Sequence, residues 1–192
     1  ILVLCLIATL YANPNKRARY ATNLALFLII VALAFVSSFT FWSKEYSIGT
    51  DSSVFQYIGQ AIMRGEMPYK DAFDHKGPLL YLYNYFGNLI LGLRGVWIFE
   101  ILSVGVAVIF GYKIARIFLG RILSLIAVMV AFSRYFRFVE GGNLTEQFTL
   151  PFIFVSFYIF MRYFRAKSNK IATLICGICF GAVCLLRPNM IA

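Results

Sequence analysis

The sequence predicts an all-α protein, a polytopic transmembrane helix bundle with juxtamembrane amphipathic helices in its first outer loop. Three observations carry this. Of 192 residues, 61% are hydrophobic and 14% charged, against about 45–50% apolar and 25% charged in soluble domains. Several apolar runs are long enough to cross a hydrocarbon core of about 30 Å. The basic residues fall in short clusters between those runs, as the positive-inside rule requires of a chain threaded back and forth. The net charge of +10 therefore reads as a topology signal. Nucleic acid is not an expected partner, because its binding needs basic residues gathered on one water-exposed face.

Taken in order, residues 1–12 read as the end of a preceding span, and the start at Ile1 and stop at Ala192 read as an N-terminal fragment of a longer protein. Residues 21–42 hold no charge and form the clearest span. Residues 43–95 make the outer loop, with an amphipathic helix at 52–64 whose apolar positions 54, 57, 58, 61 and 62 share one face. Gly65 is placed to stop it. A second, aromatic helix at 78–92 starts with Pro78 at its first position. Spans follow at 96–118, 122–138, 148–164 and 171–186.

The segment 78–92 is marginal in length for crossing, and charge parity assigns it to the outer interface. If it does not cross, Lys16, Arg17, Arg19, Lys113, Arg116, Arg121, Arg162, Arg165, Lys167 and Lys170 share one side with no acidic residue. The other side then holds Lys44, Arg64, Lys70, Lys76, Arg94, Arg134, Arg137 and Arg187 with Glu45, Asp51, Glu66, Asp71, Asp74, Glu140 and Glu146. If it did cross, the bias would collapse. The chain is thus expected in the cell (cytoplasmic) membrane, multi-pass, with its active site on the extracytoplasmic face.

Cys5, Cys176, Cys179 and Cys184 lie in apolar runs, where they serve as small fillers. The spacing Cys176–Gly–Ile–Cys179 has no second ligand pair to make a zinc site. Asn143–Leu144–Thr145 matches a glycosylation sequon but sits against a span. Glu100 lies about one turn inside a span, where an ionisable residue is costly and a functional reading is the default; a pairing with Arg94 or Arg134 explains it equally well.

The chemistry concentrates in the outer loop. Asp51 begins the first amphipathic helix, where it, or Thr50, would also serve as a plain N-cap. The run from Glu66 to Pro78 packs Asp71, Asp74, His75, Lys70 and Lys76 into a turn-rich segment between two interfacial helices. It is either a solvated loop or a holder of a lipid phosphate, with Lys76 and His75 as donors. Glu140 to Gln147 returns two carboxylates, Glu140 and Glu146, to the same side, or forms a simple turn with Asn143 or Thr145 as cap.

The run Tyr69–Lys–Asp71–Ala–Phe–Asp74–His75–Lys76–Gly–Pro–Leu–Leu–Tyr81, with Asp51 after the first long span and Asn143–Leu–Thr–Glu146 before another, resembles the GT-C superfamily of membrane glycosyltransferases. The resemblance is to the dolichyl-phosphate-mannose protein mannosyltransferase-like branch (family 39/83 type), which often has Pro–Pro where this chain has Gly77–Pro78. It implies transfer of a sugar from a polyprenyl-phosphate donor, with inversion, to an extracytoplasmic acceptor that is a cell-wall polymer, a lipid glycan or a protein. It implies Asp51 and Glu146 as catalytic carboxylates and Lys76, with His75 or Arg134, as the donor phosphate site. Asp71, Asp74, Tyr69 and Glu140 would support them. Some relatives use a metal and others do not, so a divalent metal ion stays open as a cofactor. The competing expectations are a transporter or flippase, which would place ionisable residues near mid-membrane, and a non-catalytic scaffold, for which the outer loop needs no acidic cluster. An oligosaccharyltransferase-type ligase is a further option.

Overall fold

Helix α1, Pro14–Val36, opens with Pro at a position where its missing N–H costs nothing. It belongs to a computed structural model that describes residues 14–36, 49–163 and 170–187. The helix starts seven residues before the expected 21, so Lys16, Arg17 and Arg19 form its first turns rather than a separate loop. Lys and Arg are good helix formers and extend the helix readily. Residues 1–13, 37–48, 164–169 and 188–192, and with them the ends of two expected spans, lie outside the described residues.

Helix α2, Thr50–Met63, is preceded by Gly49 in an extended conformation with no side-chain cap. Asp51 therefore sits inside the first turn, where its charge complements the helix dipole. The stop at Gly65 is as expected, with φ +85°. The buried face differs from the expected one: Phe55, Gln56, Ile58, Gly59 and Ala61 are buried, while Val54 and Tyr57 are exposed. Gly59 sets that rotation. A Cβ there would lie 2.7 Å from Asn84 Cβ, so the absent side chain lets α3, Pro78–Leu91, pack directly on α2.

Helix α3 buries Leu80, Tyr81, Asn84 and Gly87 and exposes Leu82, Phe86, Leu89 and Ile90. It ends at Gly92 with φ +61°, and a 3-10 turn at Gly92–Arg94 leads into α4, Val96–Phe118. The expected span at 122–138 is broken into α5, Arg121–Phe132, and a single turn α6, Tyr135–Phe138. The break falls at Ser133, whose hydroxyl donates to Val130 O at 2.7 Å and competes with the next helical hydrogen bond. At 1.5 Å per residue α5 reaches about 18 Å, too short to cross alone. Helix α7, Thr145–Tyr163, starts three residues early because Gln147 Oε1 reaches back to accept from Asn143 N at 3.0 Å. Helix α8 is Lys170–Leu186.

Among the described residues there are only helices and one isolated bridge, Pro68 to Ala72. Two helices are long and apolar enough to cross a membrane, at Asn15–Phe35 and Val96–Phe118; α5 and α8 are shorter and apolar.

Direction follows from contacts. Trp97 Nε1 donates to Ala34 O at 3.1 Å, so α4 runs antiparallel to α1. Helices α4 and α7 run parallel: Tyr83 stacks against both Phe99 and Phe148 near their starts, and Phe110 meets Tyr158 near their ends. Gly77 N donates to Leu186 O at 2.9 Å, and Arg187 pairs with Glu146, so α8 returns antiparallel to α7. One end of the bundle thus gathers Lys16, Arg17, Arg19, Lys113, Arg116, Arg121, Arg162 and Lys170. The other holds every described acidic residue. A core of Leu26, Val104, Val108, Val128 and Phe132 fills the middle, and a second one of Phe55, Ile58, Leu80, Tyr81, Phe148 and Leu186 fills the acidic end.

Candidate functional site

Leu144, which packs against the second core, also lines a polar pocket of about 480 Å³, together with Gly49, Thr50, Asp51, Arg137, Phe138, Glu140 and Glu146. Two segments remote in sequence, 49–51 and 137–146, meet there. Asp51 comes from the first turn of α2 and Glu146 from the first turn of α7. Glu140 comes from the connection between them in space, where Glu140, Gly141, Gly142 and Asn143 have φ of 44°, 98°, 100° and 59°. Four successive left-handed residues make a tight reversal. Two glycines and an asparagine suit it, whereas Glu140 is held there at a cost of about 1–3 kcal/mol.

The reversal is pinned by a buried amide pair. Asn84 Nδ2 donates to Asn143 Oδ1 at 3.0 Å, and Asn143 Nδ2 donates to Asn84 Oδ1 at 2.9 Å and faces Ser52 O at 3.2 Å. Both residues are within 1% of full burial, so each amide must find its partners inside the protein. The pair ties α2, α3 and the Glu140 turn together. It also removes the sequon at Asn143 from solvent.

Lys76 stands behind Asp51. It is 8% exposed, with Nζ 3.7 Å from Asp51 Oδ2, 3.0 Å from His75 Nε2 and 5.9 Å from the centre of the Phe55 ring. An ammonium can only donate, so the imidazole presents Nε2 as acceptor and keeps its proton on Nδ1. Nδ1 lies 3.0 Å from Asp74 Oδ1. The side chains form a file, Asp74, His75, Lys76, Asp51. His75 thus bridges Asp74 and Lys76 within that file.

The backbone beneath the file is fixed from two sides. Tyr69 Oη donates to Lys76 O at 2.8 Å and Tyr81 Oη approaches the same oxygen at 3.2 Å. Both phenols hold their protons above the ordinary tyrosine range. For Tyr69 burial is the main cause, opposed by the hydrogen bond from Tyr81 and reinforced by the Asp74 charge. For Tyr81 burial again leads, followed by the charges of Asp74 and Tyr69. Gly77 then meets the end of α8 so closely that a Cβ would sit 2.0 Å from Leu185 O.

Other expected site residues have different work. Asp71 Oδ2 accepts from Met67 N at 2.8 Å and builds the turn. Glu146 pairs with Arg187 and accepts from Thr145 Oγ1 at 2.9 Å, so it is a held carboxylate, neutralised by its partner. Arg134 is exposed and lies outside the pocket wall; the arginine in the wall is Arg137. Asp51 is 63% exposed and the most accessible of the carboxylates beside Lys76. Glu100 is 1% exposed in α4. Among the described residues no group of three or more His, Cys, Asp or Glu is arranged to hold a metal ion.

Fold and site together define an all-helical protein with two membrane-length helices and a carboxylate pocket at its acidic end. A family description, the competence-induced protein Ccs4 N-terminal domain, matches residues 14–192, and the chain belongs to that family. No curated protein and no solved structure matches it. The resemblance to GT-C glycosyltransferases is overturned by this finding, since the family matched across the chain is a different one. The residues behind the resemblance have local explanations: Asp71 caps a turn, Asp74 orients His75, Tyr69 and Tyr81 clamp Lys76 O, and Gly77 admits α8.

Proposed function

We propose that the chain is a multi-pass protein of the cell membrane that transfers a sugar from a polyprenyl-phosphate-linked donor to an extracytoplasmic glycan, lipid or protein acceptor. The observation that carries this reading is a nearly buried lysine, Lys76, 3.7 Å behind an accessible carboxylate, Asp51, in the wall of a polar pocket. Segregation of charge supports the orientation, because the basic end fits the cytoplasmic side. Exposed apolar side chains such as Leu24, Phe27 and Leu28 on α1 fit a lipid solvent.

The chemistry follows from these two groups. Lys76 is nearly buried, so its charge needs a partner; a donor phosphate that takes the place of Asp51 keeps that charge paired. That exchange frees the carboxylate as the phosphate docks. Asp51 then takes the proton of an acceptor hydroxyl, whose oxygen forms the new bond to the anomeric carbon. The bond to the phosphate oxygen breaks, and its electron pair leaves with the lipid phosphate, stabilised by Lys76. Arg137 in the wall adds positive charge on the same side. Glu146, held by Arg187, shapes the pocket.

The test uses the full-length protein in membranes with a radiolabelled polyprenyl-phosphate sugar. Asp51→Asn lowers transfer by about 10²–10⁴-fold, the usual worth of a positioned base, at normal membrane insertion. Undiminished transfer by that variant contradicts the assignment.

A further inference from the structure

At the opposite end of the bundle, two cations from different helices converge on one aromatic ring. Lys113 Nζ lies 4.4 Å from the Phe110 ring centre and 5.7 Å from that of Tyr158. Arg162 Cζ lies 5.8 Å from the same Tyr158 ring, and its Nη1 is 3.0 Å from Tyr158 Oη. Phe110 and Tyr158 meet edge to face at 5.4 Å, which holds α4 and α7 together at this level. The rings steady the two side chains, yet supply no counter-charge.

Among the described residues no carboxylate is placed to supply one. All described acidic residues belong to elements at the other end. The pair thus offers a free place for an anion from outside the described residues. The two cations also stand at one height. Lys113 is 17 residues from the start of α4, and Arg162 is 17 from the start of α7. In parallel helices that is a rise of about 26 Å, close to the hydrocarbon thickness of about 30 Å. With 148–164 crossing as the sequence leads one to expect, a helix pair that enters the membrane at Val96 and Thr145 delivers both charges, with an interfacial tyrosine between them, to the depth of lipid phosphates.

We propose that Lys113 and Arg162, steadied over Tyr158 and Phe110, bind the phosphate of an anionic phospholipid in the leaflet opposite the carboxylate pocket. The proposal rests on the membrane reading above and is independent of glycosyl transfer. It is tested by native mass spectrometry of the purified full chain titrated with phosphatidylglycerol, with phosphatidylcholine and with inorganic phosphate as separate arms. Wild type retains phosphatidylglycerol over phosphatidylcholine. Lys113→Gln and Arg162→Gln each weaken retention about five-fold, the usual effect of one basic residue near an anionic surface, and Arg19→Gln, an exposed cation at the same end, leaves it unchanged. Tyr158→Leu weakens it as well, although both charges remain. An equal loss with Arg19→Gln, or no loss with Tyr158→Leu at unchanged folding by circular dichroism, overturns the site in favour of diffuse attraction. Inorganic phosphate that displaces the lipid at equal concentration overturns the lipid as the ligand. Failure of the protein to partition with membranes would instead defeat the membrane reading itself.

Discussion

Gly77→Ala is the smallest change that reaches the Lys76 segment. The new Cβ would stand 2.0 Å from Leu185 O, 2.4 Å from Leu185 C and 3.1 Å from Leu186 C. All three are backbone atoms, so no side chain can swing aside. The end of α8 has to move, which strains or breaks the Gly77 N to Leu186 O bond at 2.9 Å. Overpacking of this kind costs about 1–3 kcal/mol and a lost hydrogen bond about 1 kcal/mol, together about 2–4 kcal/mol. At about 2–4 °C per kcal/mol for a chain of this size, the unfolding midpoint falls by about 4–16 °C. The assay is thermal unfolding in detergent or nanodiscs, followed by tryptophan fluorescence. Gly177→Ala is the matched control: a Cβ there meets nothing within 4 Å, and the site is inside α8. Its expected change is a gain of up to about 1 kcal/mol from helix propensity. A Gly77→Ala protein as stable as wild type would refute the close approach of α8 to the Lys76 loop.

Asn84→Leu leaves the buried amide of Asn143 without its reciprocal partner and costs about 1–3 kcal/mol; Asn143→Gly in the same chain recovers part of that loss, which a double-mutant cycle of unfolding midpoints measures. The Tyr69 and Tyr81 phenols have raised proton affinity in the fold. Their stabilisation is therefore complete below the unfolded-state value near 10 and declines as pH rises through the higher folded values. Tyr81→Phe should flatten that alkaline loss in pH-dependent unfolding. In a background without native cysteines, Lys70→Cys and Lys170→Cys, both at exposed positions, should react with an impermeant maleimide from opposite sides of the membrane. Labelling of both from one side contradicts the orientation.

Helix positions were largely legible because apolar runs and Pro or Gly boundaries are local signals. Pro78, Gly65 and the 96–118 run show this directly. The division of 122–138 was hidden, since Ser133 and Arg134 interrupt the hydropathy only slightly while the Ser133 hydroxyl turns the chain. The rotation of α2 was hidden for another reason: it depends on which face meets Asn84, a partner 25 residues away from Gly59. In the site, Asp51 and Lys76 were found from residue type and position, and they do meet. Arg187 was underweighted, although it follows the last apolar run at the same end as Glu146. The Asn84–Asn143 pair was missed, and a polar amide inside the apolar 78–92 run was the available signal. The resemblance failed because a short loop sequence can be dictated by its own turns.

The central claim is that Lys76 receives a lipid phosphate at the acidic end of the bundle. Its most direct test is equilibrium binding of a sugar-free polyprenyl monophosphate to the purified full chain, by native mass spectrometry. Wild type and Arg19→Gln should bind it equally, Lys76→Gln should lose at least ten-fold, and Asp51→Asn should bind as well as wild type or better, because its competing carboxylate is gone. Binding by Lys76→Gln with wild-type affinity would contradict the account.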